Sequence, residues 1–207
     1  MRQETLPREP RSILEKPAAA ALYALATLVL AAAAWRAVAQ AHADRMRLST
    51  GEARWIWFSA GGANPRPISF YATREFVLPR APSRALAKVF VDRRHTLYVN
   101  GVAAGGASQR PGDSLRVYRI APLLRPGLNR VAIEASSPTG VGGILFALDL
   151  DGFGRDAVVS DRLWRVDSSS AALTSGGRFR PIVWGKPPQY PWGYPRMPRP
   201  NELKIDD

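Results

Sequence analysis

Thr96-Leu97-Tyr98-Val99-Asn100-Gly101 is the stretch on which the architecture of this chain turns. It is a short β-branched and aromatic run that ends in Asn-Gly. A two-residue type I′ hairpin needs positive φ at both central positions, and Asn and Gly are the residues that tolerate it. The run therefore predicts a strand that turns sharply back on itself. Working outward, period-2 segments flank it on both sides, at residues 55–58, 68–78, 85–92, 96–99, 114–120, 129–136, 143–150 and 163–166. The alternation is plain in Leu86-Lys88-Phe90-Asp92 against Ala87-Val89-Val91, and in Val131-Ile133 against Arg130-Ala132-Glu134. Gly, Pro, Asn and Asp punctuate the gaps, at Gly61-Gly62, Pro79, Pro82, Pro111-Gly112, Pro126-Gly127, Pro138 and Asp151-Gly152. Short strands at this spacing, none followed by an amphipathic helix, predict an antiparallel sandwich and argue against a parallel α/β fold.

Composition limits the chemistry. The 207 residues include no cysteine, which excludes a disulfide framework and thiolate chemistry. The two histidines, His42 and His95, are far apart, and no Cys or carboxylate cluster stands near either at ligand spacing. No metal site and no cofactor are expected. The net charge of +12 is mostly an excess of arginine. It suits anionic partners such as lipid headgroups or acidic surfaces. The charge is spread without a Lys/Arg block, so nucleic acid is not an expected partner.

The two ends differ from the centre. Residues 1–16 form a polar, charge-mixed tail. Residues 17–36 contain the one long uncharged apolar run, from Pro17 to Trp35, close to the ~20 residues that a spanning helix needs. Pro17 suits a first helical turn, and Tyr23 and Trp35 suit interfacial anchors. The run is rich in Ala, which lets neighbouring helices approach closely, so other membrane-protein subunits are expected partners. Ala37-Val38-Ala39 also fits a signal-peptidase pattern behind the basic Arg11 and Lys16. We carry forward the uncleaved signal-anchor as the expectation. Flanking charges nearly balance. The order of basic tail then apolar run places the N-terminus inside and the main domain on the periplasmic, extracytoplasmic face of the inner membrane. Residues 37–53 continue as a juxtamembrane helix or linker, with His42 solvated and Ser49-Thr50-Gly51 as the stop. Residues 54–180 form the β domain. Residues 181–207 are rich in Pro and aromatics and are expected to be extended, held by their own domain or by other subunits.

A succession of motifs adds to this reading. Ala53-Arg54-Trp55-Ile56-Trp57 is followed by Phe70-Tyr71-Ala72-Thr73-Arg74-Glu75-Phe76-Val77-Leu78, then Ala87-Lys88-Val89-Phe90-Val91-Asp92 and Leu97-Tyr98-Val99-Asn100-Gly101. Leu123-Leu124-Arg125-Pro126-Gly127-Leu128-Asn129 leads into Val131-Ala132-Ile133, and Ser160-Asp161-Arg162-Leu163-Trp164-Arg165 closes the series. Over residues 53 to 167 this order resembles the galactose-binding-like β-sandwich modules of glycoside hydrolases, most closely those of bacterial α-L-rhamnosidases. The resemblance implies a jelly-roll sandwich that binds sugar in some members and is structural in others. No catalytic barrel follows these motifs, so hydrolase activity is not implied.

Individual residues offer little chemistry. Asp149-x-Asp151-Gly152 has a faint calcium-loop look but lacks the closing glutamate, and reads as a strand-ending turn. Gly101-x-x-x-Gly105-Gly106 lacks the Lys-Ser/Thr of a phosphate loop and reads as a mobile loop between hairpin strands. Trp55, Trp57 and Trp164 have the bulk to fill a sandwich core. His95 is expected at a strand edge or turn, and Arg93 and Arg94 on a solvated face. Tyr23, Trp35, Trp184, Tyr190, Trp192 and Tyr194 are the candidate partner-interface residues. The expected function is that of a non-catalytic, single-span accessory subunit of a larger bacterial membrane complex, with respiratory or photosynthetic assemblies as hosts. The alternative is a membrane-anchored carbohydrate-binding module for envelope or extracellular glycans.

Overall fold

The computed structural model describes residues 17–58, 66–151 and 154–198. The expected tail at residues 1–16, the Gly61-Gly62 punctuation, Gly152 and the last nine residues lie outside them. The chain divides into two units, Met1–Asp44 and Arg45–Asp207.

Helix α1 runs without a break over Pro17–Thr50, 34 residues in all. At 1.5 Å per residue that is about 51 Å. Its stretch Ala19–Val38 has a mean hydropathy of 1.7, which by length and composition suffices to cross a membrane; a signal sequence has the same profile. Leu22, Leu25, Leu28, Val29, Leu30 and Val38 are all exposed, so no side of this stretch is buried by the chain itself. The His42 side chain lies outside the described residues. Gly51, at φ +53°, follows the last helical residue.

The rest is a curled antiparallel sheet network. Its described strands are β1 (Ile56–Trp57), β2 (Ile68–Leu78), β3 (Ala85–Val99), β4 (Val102–Gln109), β5 (Arg116–Arg119), β6 (Gly127–Ser137), β7 (Gly143–Leu150), β8 (Gly154–Val159), β9 (Arg165–Asp167) and β10 (Ile182–Val183). The organising strand is β3. Its first half pairs with β7 from Ala85↔Leu150 to Asp92↔Gly143, and with β5 from Leu86↔Arg119 to Val89↔Arg116. Its second half pairs with β6 from Arg94↔Ser136 to Val99↔Val131, and with β4. The register slips between Asp92 and Arg93. Such a bulge bends a strand and raises its twist. One strand thus serves two packed halves. The first is β10-β1-β7-β3 with β5 and β8, and the second is β9-β2-β6-β3 with β4.

The core lies between the halves. Trp57 meets Phe70 edge-on at 4.9 Å, and Phe146 meets Trp164 at 5.2 Å. Val89, Val91, Ile144 and Leu148 come from the first half, and Ala72, Leu97, Ile133 and Ala135 from the second. Trp55, Trp57 and Trp164 are fully buried, as the bulk argument anticipates.

The Asn100-Gly101 turn forms as expected, with φ +51° and +84°. The Gly105-Gly106 loop does not: it is part of β4. A Cβ on Gly105 would lie 2.6 Å from the Tyr118 ring, and one on Gly106 would lie 2.7 Å from the His95 carbonyl oxygen. These glycines mark close approach inside a sheet rather than freedom in a loop. Residues 85–92 and 96–99, expected as two strands, are one, because a bulge absorbs the break in alternation at Arg93-Arg94-His95. His95 is accordingly buried mid-strand rather than placed at an edge, with its Nε2 2.9 Å from the Tyr118 hydroxyl.

Candidate functional site

The outer faces of the two halves are finished differently. On the first half, Phe90 and Leu145 point away from the main core and join a second cluster with Ala53, Trp55, Leu115 and Trp192. The C-terminal segment closes this face. Trp55 N–H donates to Gly185 O and Trp184 N–H to Trp55 O, each at 2.8 Å, and Leu115 N–H donates to Arg196 O at 2.8 Å. Trp192 stacks on Trp55 at 4.6 Å and on Trp184 at 5.1 Å. Its indole N–H donates to Asp92 Oδ2 at 2.9 Å, at the bend of β3. Nearby, Lys88, 1% exposed, stands between Asp149 at 3.0 Å and Asp156 at 2.9 Å. The Asp149 carboxylate is thus a structural counter-charge.

These contacts place the interface candidates. Trp192 is 3% exposed, a core residue and not a surface anchor. Trp184 is half-buried against it. Tyr190, at 91%, and Tyr194, at 43%, present surface. Tyr23 and Trp35 are exposed on α1, at 58% and 76%. Trp184 and Trp192 come together; Tyr23 and Trp35 belong to the other unit.

The second half carries a polar outer face. Side chains alternate along a strand, so those between the core-facing Phe70, Leu97, Ile133 and Ala135 point outward. Tyr71 of β2, Glu134 of β6 and Thr96 of β3 share one ladder row through Tyr71↔Glu134 and Thr96↔Glu134. The Tyr71 hydroxyl donates to Glu134 Oε1 at 3.3 Å, and the Tyr98 hydroxyl donates to Oε2 at 3.1 Å. Burial, and then the carboxylate, push both phenols above their ordinary pKa, which keeps them protonated as donors. A carboxylate offers about four acceptor sites, so Glu134 retains capacity beyond these two bonds.

Two residues along, the next row reads Ser69–Ser136–Arg94–Ser108 across β2, β6, β3 and β4. This row floors a cleft of about 640 Å³ lined also by Pro67, Arg93, Ser137 and Pro138. Its size falls within the ~300–1,000 Å³ usual for small-ligand sites. At the opposite end of the face, α2 (Ala172–Ser175) and its neighbours sit over β2, where Gly177 N–H donates to Thr73 Oγ1 at 2.8 Å. Arg130 donates to the Leu173 carbonyl at 3.3 Å and pairs with Glu75. The open part of the face is therefore bounded.

Among the described residues no group of three or more His, Cys, Asp or Glu is placed to hold a metal ion. Apart from Arg93 and Arg94, noted as a solvated pair, none of the residues on this face stands out in the sequence as a candidate site. They converge only through the long-range β2–β6–β3 register.

Compared by sequence, the chain matches no family model and no curated protein. Compared by structure, it is similar to the Streptomyces avermitilis α-L-rhamnosidase complexed with L-rhamnose, with TM-score 0.60, 22% identity, and coverage of 70% of this chain and 16% of that one. It is similar to the Pleurotus ostreatus lectin in complex with GalNAc, with TM-score 0.59, 25% identity, and coverage of 70% and 46%. It is also similar to a GH78 family rhamnosidase of Bacillus sp. GL1, with TM-score 0.60, 22% identity, and coverage of 71% and 20%. The chain spans less than half the length of each of these proteins. Residues beyond the apolar N-terminal helix fold as a galactose-binding-like β-sandwich, the architecture that the motif order anticipates.

Proposed function

We propose that this protein is a non-catalytic carbohydrate-binding module, tethered to the inner membrane by α1 with its sandwich on the extracytoplasmic side. The observation that carries the reading is the Tyr71–Glu134–Tyr98 cluster on an open sheet face beside a cleft. Saccharides present hydroxyls and weakly polar C–H faces. The cluster supplies a partly filled carboxylate acceptor, two phenols and half-buried aromatic surface, which complement both. The structural likeness to a lectin solved with GalNAc supports the same reading. The role first expected from the sequence, an accessory subunit in a respiratory or photosynthetic assembly, draws no support from the neighbours named above, which favour the carbohydrate-binding alternative. The net charge of +12 favours an envelope with anionic lipid nearby.

The test uses the full chain in nanodiscs of zwitterionic lipid, screened against an array of neutral and acidic glycans. Retention of at least one glycan class is expected. Tyr98→Ala and Glu134→Gln should each weaken that binding by roughly tenfold, the equivalent of one lost hydrogen bond to a charged or well-packed partner. Silence across the array, with the folded chain verified by circular dichroism, would end the proposal.

A further inference from the structure

We infer that the cleft beside the tyrosine–glutamate cluster selects saccharides carrying an anionic group, a uronate carboxylate in the simplest case, through Arg94 with Arg93. This deepens the reading above and rests on it. In the ladder, Arg94 faces Ser136 of β6 on one side and Ser108 of β4 on the other, and Ser136 faces Ser69 of β2. With strands ~4.8 Å apart, the row Ser69–Ser136–Arg94–Ser108 extends for about 14 Å. It is a cation flanked by hydroxyls, on the scale of a short oligosaccharide. None of these four side chains makes a hydrogen bond or ion pair with another described residue. Arg93 is only loosely engaged, its Nε 3.5 Å from Asp92 Oδ1.

Two guanidinium groups lining one cleft can receive an anion together. The planar fork of arginine matches a carboxylate bidentately, and such charge-assisted bonds are about twice as strong as neutral ones. The adjacent serines can donate to or accept from ring hydroxyls. Among the described residues of this face, the Glu134 carboxylate lies a row away with both its oxygens accepting from tyrosines. The chemistry therefore divides along the face, with an acid group at Arg94 and neutral hydroxyls at Glu134. Position is held from behind. Asp92, which starts the bulge leading into Arg93 and Arg94, accepts from the buried Trp192 indole.

The experiment is a titration of the full chain, in zwitterionic nanodiscs at physiological salt, with an oligogalacturonate and with the same oligosaccharide fully methyl-esterified. The free acid is expected to bind about tenfold more tightly or better. Arg94→Gln should abolish that preference, and Arg94→Lys should restore only part of it. Arg119→Gln, an exposed arginine on β5, removes the same charge elsewhere and should leave the preference intact. Equal affinity for acid and ester would overturn the inference while leaving carbohydrate binding standing. An equal loss in the Arg119 variant would also overturn it, by reducing the preference to net charge. Binding of phosphatidylglycerol vesicles that depends on Arg94, with no uronate binding, would reassign the cleft to lipid. Failure of every glycan would instead defeat the parent reading.

Discussion

The two outer faces of the sandwich share a strand but not a fate. On the first half, the run Gly143–Leu150 is buried at nearly every position, on both sides of the sheet. A second core of Trp55, Phe90, Leu145 and Trp192 fills the side away from the main one. On the second half, the outward residues among those described include Ser69, Tyr71, Thr96, Tyr98, Glu134 and Ser136, all of them half-buried or exposed. The difference separates a face that is packed from a face that is left polar. One face holds the domain together, and the other is polar enough to stay in contact with water, as the proposed binding role requires.

The comparison breaks most easily at Trp192. Trp192→Ala removes a buried indole, its two stacking partners and its bond to Asp92. We expect a loss of about 3–5 kcal/mol in chemical denaturation. A loss below about 1 kcal/mol would mean that the C-terminal segment is an ornament and that the first face is not sealed.

A middle-sized effect lies behind the open face, on its inner side. Burial, and then the Arg116 charge, hold the His95 imidazole pKa down to about 4. In the unfolded chain it titrates near 6.5. Between those values the unfolded state takes up a proton that the folded state refuses, so stability falls as pH drops from 6.5 to 4 and is unaffected above 6.5. The total is about 3 kcal/mol. Denaturation midpoints measured across this window should fall in the native chain and fall less in His95→Gln, which would sharpen the comparison by placing an acid-sensitive group behind the open face.

The smallest effect belongs to the open face itself. Tyr71→Phe removes a 3.3 Å bond at a part-exposed site and should shift stability by no more than about 0.5 kcal/mol. If its thermal midpoint dropped as far as that of Trp192→Ala, the division between a structural face and a usable face would be lost.

How much of this was legible in the residues follows from the range of the interactions. The Asn100-Gly101 turn is local chemistry, and β2 and β7 follow from runs whose ends are marked by turn residues; their bounds match the structure. β4 was hidden because Val102-Ala103-Ala104-Gly105-Gly106 has no alternation, its glycines serving clearance for Tyr118 and the His95 backbone. β10 and the burial of Trp192 were hidden in proline-rich composition, which reads as extended chain wherever it packs. One available sign was missed: the unbroken apolar run of β7 signals burial on both faces, and so a cover over the second. The site was not legible at all as a unit. Tyr71 and Glu134 are 63 residues apart, and only register brings them together.

The pairing of the strands also dictates an order of events as the chain is made. Among the described residues β2 finds its partners only in β6 and β9, and β1 only in β7 and β10. These two early strands therefore wait, unpaired, until the chain has been made as far as β6 for β2 and β7 for β1. Their ladders close late, and contacts of such long span fold slowly. Until residues 182 to 196 arrive, Trp55, Phe90 and Leu145 have no lid. A nascent sandwich interrupted at that stage leaves this apolar face uncovered, a form prone to aggregation.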